Sequence, residues 1–113
     1  MGEKELLQKW EEAYKKGLLS FWILLLLADR PMYPFEMRSL LEEISQGTVK
    51  IGPGTLYGAF STLEKEGLIS MVQEDKRRKS YLLTPKGKAV LLMQIQRLEI
   101  MTHNGRLQAG KIS

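Results

Sequence analysis

Cysteine is absent from the 113 residues and histidine occurs once, at position 103. The first absence removes disulfides, thiolate metal sites and cysteine nucleophiles, and it fits a reducing cytoplasm as the expected location. The second leaves His103 with no other imidazole to share an ion, so neither a metal nor any other cofactor is expected. Long apolar runs are also missing. The one membrane-like stretch, Leu18–Ala28, falls short of the roughly 18 to 20 apolar residues that a span requires and reads as a buried core helix. A secretory signal is not expected either, because Glu3, Glu5, Glu11 and Glu12 are mixed with lysines and no small-residue cleavage pattern follows. There are no internal repeats and no low-complexity blocks.

Catalytic groupings are lacking as well. Glu64, Glu66 and Glu99 fall on helical surfaces beside lysines and arginines, where carboxylates form solvated ion pairs. Ser20, Ser61 and Thr62 have no base at any motif-defined spacing. Gly52-Pro53-Gly54 does not resemble a phosphate-cradling loop. The sequence therefore reads as a binding protein without enzymatic chemistry.

What remains is a chain of single-domain length with 43% hydrophobic and 27% charged residues, too apolar for disorder and too charged for a membrane protein. Its net charge of +4 favours polyanionic partners without requiring one.

Between Lys4 and Tyr14 the apolar residues Leu6, Leu7, Trp10, Ala13 and Tyr14 recur at three- and four-residue steps, which predicts an amphipathic helix. Gly17 is expected to end it, and a second helix to follow over about Leu18 to Ala28. Pro31 stops that one, since proline disfavours helical geometry in the residue before it. A third helix begins at Pro34, carries Phe35, Met37, Leu40, Leu41 and Ile44 as its apolar residues, and closes near Gln46-Gly47. A fourth opens at Pro53, with Leu56, Ala59, Phe60 and Leu63 as its stripe, and stops at Gly67. Its other side is small and polar: Thr55, Gly58, Ser61, Thr62 and Lys65.

Two β-like runs follow, Leu68 to Gln73 and Lys79 to Thr84, separated by Glu74-Asp75-Lys76-Arg77-Arg78, so a hairpin with a basic tip is expected. Thr84-Pro85 is an N-cap and N1 pair for a last helix. That helix spreads Val90, Leu91, Leu92, Met93, Ile95, Leu98, Ile100 and Met101 over more than one face, which suggests burial between subunits. Beyond Asn104-Gly105 the periodicity fades and a frayed tail is expected. The fold class is thus mainly α with a small β-hairpin. The order of elements is that of a winged helix-turn-helix, in which the last helix of the core enters the major groove of DNA and the hairpin flanks it.

Three segments, Ile51-Gly52-Pro53-Gly54-Thr55-Leu56-Tyr57, Leu63-Glu64-Lys65-Glu66-Gly67-Leu68-Ile69 and Arg78-Lys79-Ser80-Tyr81-Leu82-Leu83-Thr84-Pro85-Lys86-Gly87, together resemble the PadR family of transcriptional regulators. The likeness extends from about Gly17 to Leu91. It implies a dimeric repressor whose terminal helix, and in short members the leading helix, forms the dimer. Domain boundaries follow: 1–16 for an N-terminal dimerisation helix, 17–84 for the winged helix, 85–104 for a C-terminal dimerisation helix and 105–113 for a flexible tail.

The recognition helix is then 53–66 and the wing 74–79. The residues expected at DNA are Tyr33, Lys50, Gly54, Thr55, Tyr57, Ser61, Thr62, Lys65, Lys76, Arg77, Arg78 and Lys79. Small polar residues on the outer side of the recognition helix let its backbone approach base edges, while Lys50, Lys65 and the wing run are expected at phosphates, contacts that fix position rather than sequence. Family members often place arginine in mid-helix where this chain has Ser61 and Thr62, so affinity is expected to lean on the wing. Leu6, Trp10, Tyr14, Trp22, Leu91, Ile95 and Leu98 are the expected dimer residues. Because some short members bind aromatic drugs between their terminal helices, these residues are also the candidate site for a small-molecule effector. Two other readings are a ligand-sensing dimer with weak DNA binding and a winged-helix adaptor for proteins. The four consecutive basic residues from Lys76 to Lys79 argue against the adaptor.

Overall fold

The structure, a computed structural model, describes residues 1–73 and 79–113. Four helices and a hairpin run in the order α1 (Glu3–Leu27), α2 (Pro34–Ile44), α3 (Pro53–Lys65), β1 (Ile69–Gln73), β2 (Lys79–Leu83) and α4 (Pro85–Ile112).

Two expectations are corrected. Gly17 does not end a helix: α1 is one uninterrupted helix of 25 residues. The segment beyond Asn104 is not a frayed tail, since α4 continues to Ile112. A helical glycine costs only about 1 kcal/mol relative to alanine. Strong helix formers on both sides outweigh that at Gly17 and again at Gly105, and Asn104 adds a side-chain bond to the Ile100 carbonyl at 2.9 Å. The 16/17 and 104/105 boundaries therefore fall inside helices.

The other elements begin and end where local chemistry places them. Pro34, Pro53 and Pro85 each sit in a first helical turn, where a missing N–H is harmless. Gly67 has φ +76°, and the Leu68 N–H donates to the Leu63 carbonyl at 3.0 Å, closing α3 in a left-handed cap. After α2 the chain reverses through two consecutive left-handed residues, Gln46 and Gly47. Strands β1 and β2 pair antiparallel with Ile69 opposite Leu83 and Met71 opposite Tyr81. Met32 joins the hairpin through bonds in both directions with Tyr81, at 3.1 and 2.9 Å, and so fastens the α1–α2 connection to the base of the wing.

The core lies where the second half of α1, α2, α3 and the hairpin meet. Ile23, Met32, Met37, Leu41, Leu56, Phe60, Leu63 and Ile69 are fully buried there. Leu91 of α4 closes the cluster, and the rings of Phe60 and Tyr81 lie 4.9 Å apart in a tilted arrangement.

Thr84 ties three elements together: its hydroxyl donates to the Gly67 carbonyl at 2.7 Å and accepts from the Gly87 N–H at 3.0 Å. Replacing it by alanine is expected to cost about 1 to 2 kcal/mol in a urea unfolding titration, and serine to restore most of that. Equal stability of Thr84→Ala and the parent chain would contradict this account.

Candidate functional site

Helix α3 presents one buried stripe, Leu56, Phe60 and Leu63, and helical geometry puts Gly54, Gly58, Ser61 and Lys65 opposite it. All four are exposed. An added Cβ at Gly54 or Gly58 would meet nothing within 4 Å, so packing within the chain does not account for either glycine. The result is a shallow strip of backbone that another molecule can approach closely. The Thr62 hydroxyl donates to the Gly58 carbonyl at 3.1 Å and is thereby committed within the helix.

The two edges of this strip differ. On one, a cleft of about 690 Å³ is lined by Tyr33, Pro34, Phe35, Glu36, Tyr57, Lys79 and Tyr81. Three residues expected at DNA, Tyr33, Tyr57 and Lys79, thus meet in one place although they come from the start of α2, from α3 and from β2. Sequence reasoning missed the aromatic wall they share. Phe35 was expected on the apolar face of its helix, yet it is 81% exposed. The spacing of the buried residues Pro34, Met37 and Leu41 leaves position 35 off that face, so the signal was present. Burial pushes the Tyr81 hydroxyl above its ordinary pKa, and the nearby Glu64 adds to this, so Tyr81 is a neutral hydroxyl at physiological pH.

The same cleft is stiffened at its floor. Arg30 donates from both terminal nitrogens to Glu36, each at 3.2 Å, and Glu36 also accepts the Tyr33 N–H at 3.0 Å. The Arg30 hydrogen bond holds the Glu36 carboxyl below the usual carboxylate range. Glu36 therefore stays charged and its positive partner is neutralised.

On the other edge Thr55, Gly58, Ala59 and Thr62 line a cleft of about 490 Å³ together with Glu12, Lys15, Leu19 and Ser20 of α1. Thr55 and Thr62 consequently lean toward α1 and away from the centre of the strip. Lys50 lies elsewhere, in a cleft of about 380 Å³ at the start of α3 with Arg38, Glu42, Val49, Ile51 and Gly52. The wing-tip residues Lys76, Arg77 and Arg78 lie outside the described residues.

The residues expected at a dimer contact divide. Leu91 is buried in the core of its own chain, and Trp22 and Ile95 pack against that core. Leu98 is partly buried, beside Phe21. Leu6, Trp10 and Tyr14 project from the N-terminal half of α1, where Leu7 is exposed with them, as is Leu18 just past the middle of the helix. Leu7, Trp10, Tyr14 and Leu18 follow one another at three- and four-residue steps, and Phe21 and Leu25, packed on the core, continue the same stripe. On α4, Leu92, Met93, Ile100, Met101, Leu107 and Ile112 are likewise exposed. Among the described residues no group of three or more His, Cys, Asp or Glu could hold a metal ion, and no helix is long and apolar enough to cross a membrane.

Comparison with known proteins gives this geometry a context. The profile of the transcriptional regulator PadR-like family matches residues 23–92. A transcriptional regulator of Mycobacterium tuberculosis is 35% identical over 63 residues, covering 53% of this chain and 59% of that protein. The chain thus spans less than two thirds of the length of the first curated relatives it matches. Among solved structures, a transcriptional regulator from Clostridium thermocellum superposes with a TM-score of 0.74 at 25% identity, over 89% of this chain and 96% of the other. Bacillus subtilis PadR in complex with operator DNA superposes with a TM-score of 0.61 at 26% identity, over 69% of this chain and 47% of that one.

Proposed function

This chain belongs to the PadR-like family of transcriptional regulators, and from that premise we propose that it represses transcription as a homodimer bound to a pseudo-palindromic DNA operator. The observation that carries the proposal is the outer strip of α3: small residues along its centre, Lys65 near its end, and Tyr57 and Lys79 together along one edge. A helix of this kind fits the major groove, because glycine and serine let its backbone come close to base edges while the flanking lysine and tyrosine reach phosphates.

In this reading α3 enters the groove, and the aromatic cleft beside it faces the sugar–phosphate backbone. The wing run from Lys76 to Lys79 adds phosphate contacts. The N-terminal half of α1 and the C-terminal half of α4 hold the two subunits together, so that two α3 helices address half-sites about one helical turn apart or a multiple of it. With no arginine in α3, most of the affinity comes from phosphate neutralisation, and discrimination between sequences is modest.

Fluorescence anisotropy with the duplex upstream of the chain's own gene, against an unrelated duplex, tests this. Binding is expected to fall steeply with salt on both duplexes and to be tighter on the first. The double substitution Arg77→Glu, Arg78→Glu should weaken both and flatten the salt dependence. Unchanged binding by that variant would remove the wing from the interface, and equal affinity for the two duplexes would remove the operator.

A further inference from the structure

We propose that Arg38 grips a phosphate of the DNA backbone at the start of α3, together with Lys50, a role that rests on the DNA-binding reading above. Arg38 stands on the flank of α2, and its Nε donates to the carbonyl of Ile51 at 3.2 Å, two residues before α3 begins. That bond uses one of the five guanidinium N–H groups. The two terminal nitrogens have no partner among the described residues. Arg30 is the opposite case: both of its terminal nitrogens are spent on a carboxylate, Glu36. Arg38 is therefore oriented without being neutralised, with a planar fork of donors turned outward. That is the arrangement in which arginine holds phosphate through two parallel bonds.

The surroundings suit the same ligand. Arg38 and Lys50 share an open cleft with Val49, Ile51 and Gly52, and Glu42 is the one carboxylate on its wall. Glu42 makes no ion pair within 4 Å among the described residues, so two cations face a single acid there. The loop that carries Lys50 is pinned on both sides. The Val49 N–H donates to the Ser45 hydroxyl at 3.1 Å, the Thr48 hydroxyl donates to the Ser45 carbonyl at 2.7 Å, and Ile51 is held by Arg38 itself. A phosphate bound by Arg38 is thus fixed relative to Pro53 and to the axis of α3. The contact sets the angle at which the helix meets the groove and carries no base information of its own.

The test is the salt dependence of binding to the two duplexes, measured for substituted chains whose unfolding midpoints are measured alongside. Arg38→Gln is expected to bind both duplexes roughly tenfold more weakly, with the slope of log K against log salt reduced by about one and the midpoint unchanged. Arg38→Lys keeps the charge and should keep the slope, and Lys50→Gln should lower it by a further increment of about one. An unchanged slope in Arg38→Gln overturns the proposal. Weaker binding with a lowered midpoint and an unchanged slope does so too, because it confines Arg38 to holding the loop. Should Arg38→Gln fail to fold, Lys50→Gln decides, and a full slope there overturns the shared site. If the unsubstituted chain binds neither duplex, the DNA-binding reading itself falls, a result distinct from all of these.

Discussion

A chain carrying Trp10→Glu and Tyr14→Glu is expected to run as a monomer in light scattering and to lose tight operator binding, while its far-ultraviolet circular dichroism stays that of the parent. In a single chain Leu7, Trp10 and Tyr14 are 70%, 63% and 59% exposed, so they contribute little to the stability of their own subunit. Yet they extend a stripe that is packed at Phe21 and Leu25. Each aromatic side chain brings roughly 150 to 250 Å² to a contact. Replacing two of them by carboxylates removes that area and leaves charges to be buried, so dimer affinity should fall by at least about a thousandfold, or ~4 kcal/mol. Operator affinity follows, because two half-sites held by one dimer become two independent and weak encounters. A doubly substituted chain that remains dimeric at low micromolar concentration would place the subunit contact elsewhere, with the exposed residues of α4 from Met93 to Leu107 next in line.

Gly87→Ala should be the most damaging single methyl group in the molecule. Its Cβ would stand 2.1 Å from the Leu68 carbonyl oxygen and 2.8 Å from Leu83 Cδ1. The carbonyl cannot step aside freely, because it also accepts the Thr84 N–H at 3.1 Å. Relief requires α4 to lift from the base of the hairpin, which breaks the Thr84 cap and loosens Leu91. Overpacking of this kind costs about 3 kcal/mol or more. For a chain of this length that is a drop in Tm of roughly 10 to 20 °C by differential scanning calorimetry. Gly17→Ala and Gly105→Ala serve as controls: nothing lies within 4 Å of either new methyl, and both positions are helical, so each should stabilise by up to about 1 kcal/mol. A Gly87→Ala chain that melts with the parent would show that the turn adjusts at no cost.

The glycines also mark how far the sequence could be read. Those at 47 and 67 stop helices and those at 17 and 105 do not, although all four follow amphipathic stretches. The difference lies in what comes next. Thr48-Val49 after one, and Ile69 with Val72 after the other, are β-branched and favour extended backbone, whereas Leu18-Leu19 and the run from Arg106 to Ala109 are good helix formers. A reading that gave each glycine its own fixed meaning therefore broke α1 in two and cut α4 short. Prolines were more reliable guides, because a ring that fixes φ and lacks an N–H has few places to go, and all three helix starts that carry one were anticipated.

The candidate site was legible where one element supplies it. The outer residues of α3 follow from helical period alone, and so does their small, polar character. What period could not supply was the meeting of separate elements. Tyr33, Phe35, Tyr57 and Tyr81 line one cleft only because the Met32–Tyr81 bridge draws the α1–α2 connection onto the wing. Arg38 showed no pattern at all in the sequence, since its place depends on a backbone carbonyl 13 residues further along.

The continuity of α1 has a mechanical consequence. Its 25 residues form a rod about 37 Å long, with Trp10 and Tyr14 in its N-terminal half and Leu19, Ile23 and Leu27 locked into the core along its C-terminal half. In the dimer proposed above, subunit contact and reading head would sit at two points along one lever. From Tyr14 to Leu27 the arm is 13 residues, about 20 Å, so a tilt of about 10° at the contact would swing its far end by roughly 3 to 4 Å, close to one base-pair step of ~3.4 Å. The distance between the half-sites that a dimer can span is then a property of this rod, and Gly17, near its middle, is where the lever bends most easily.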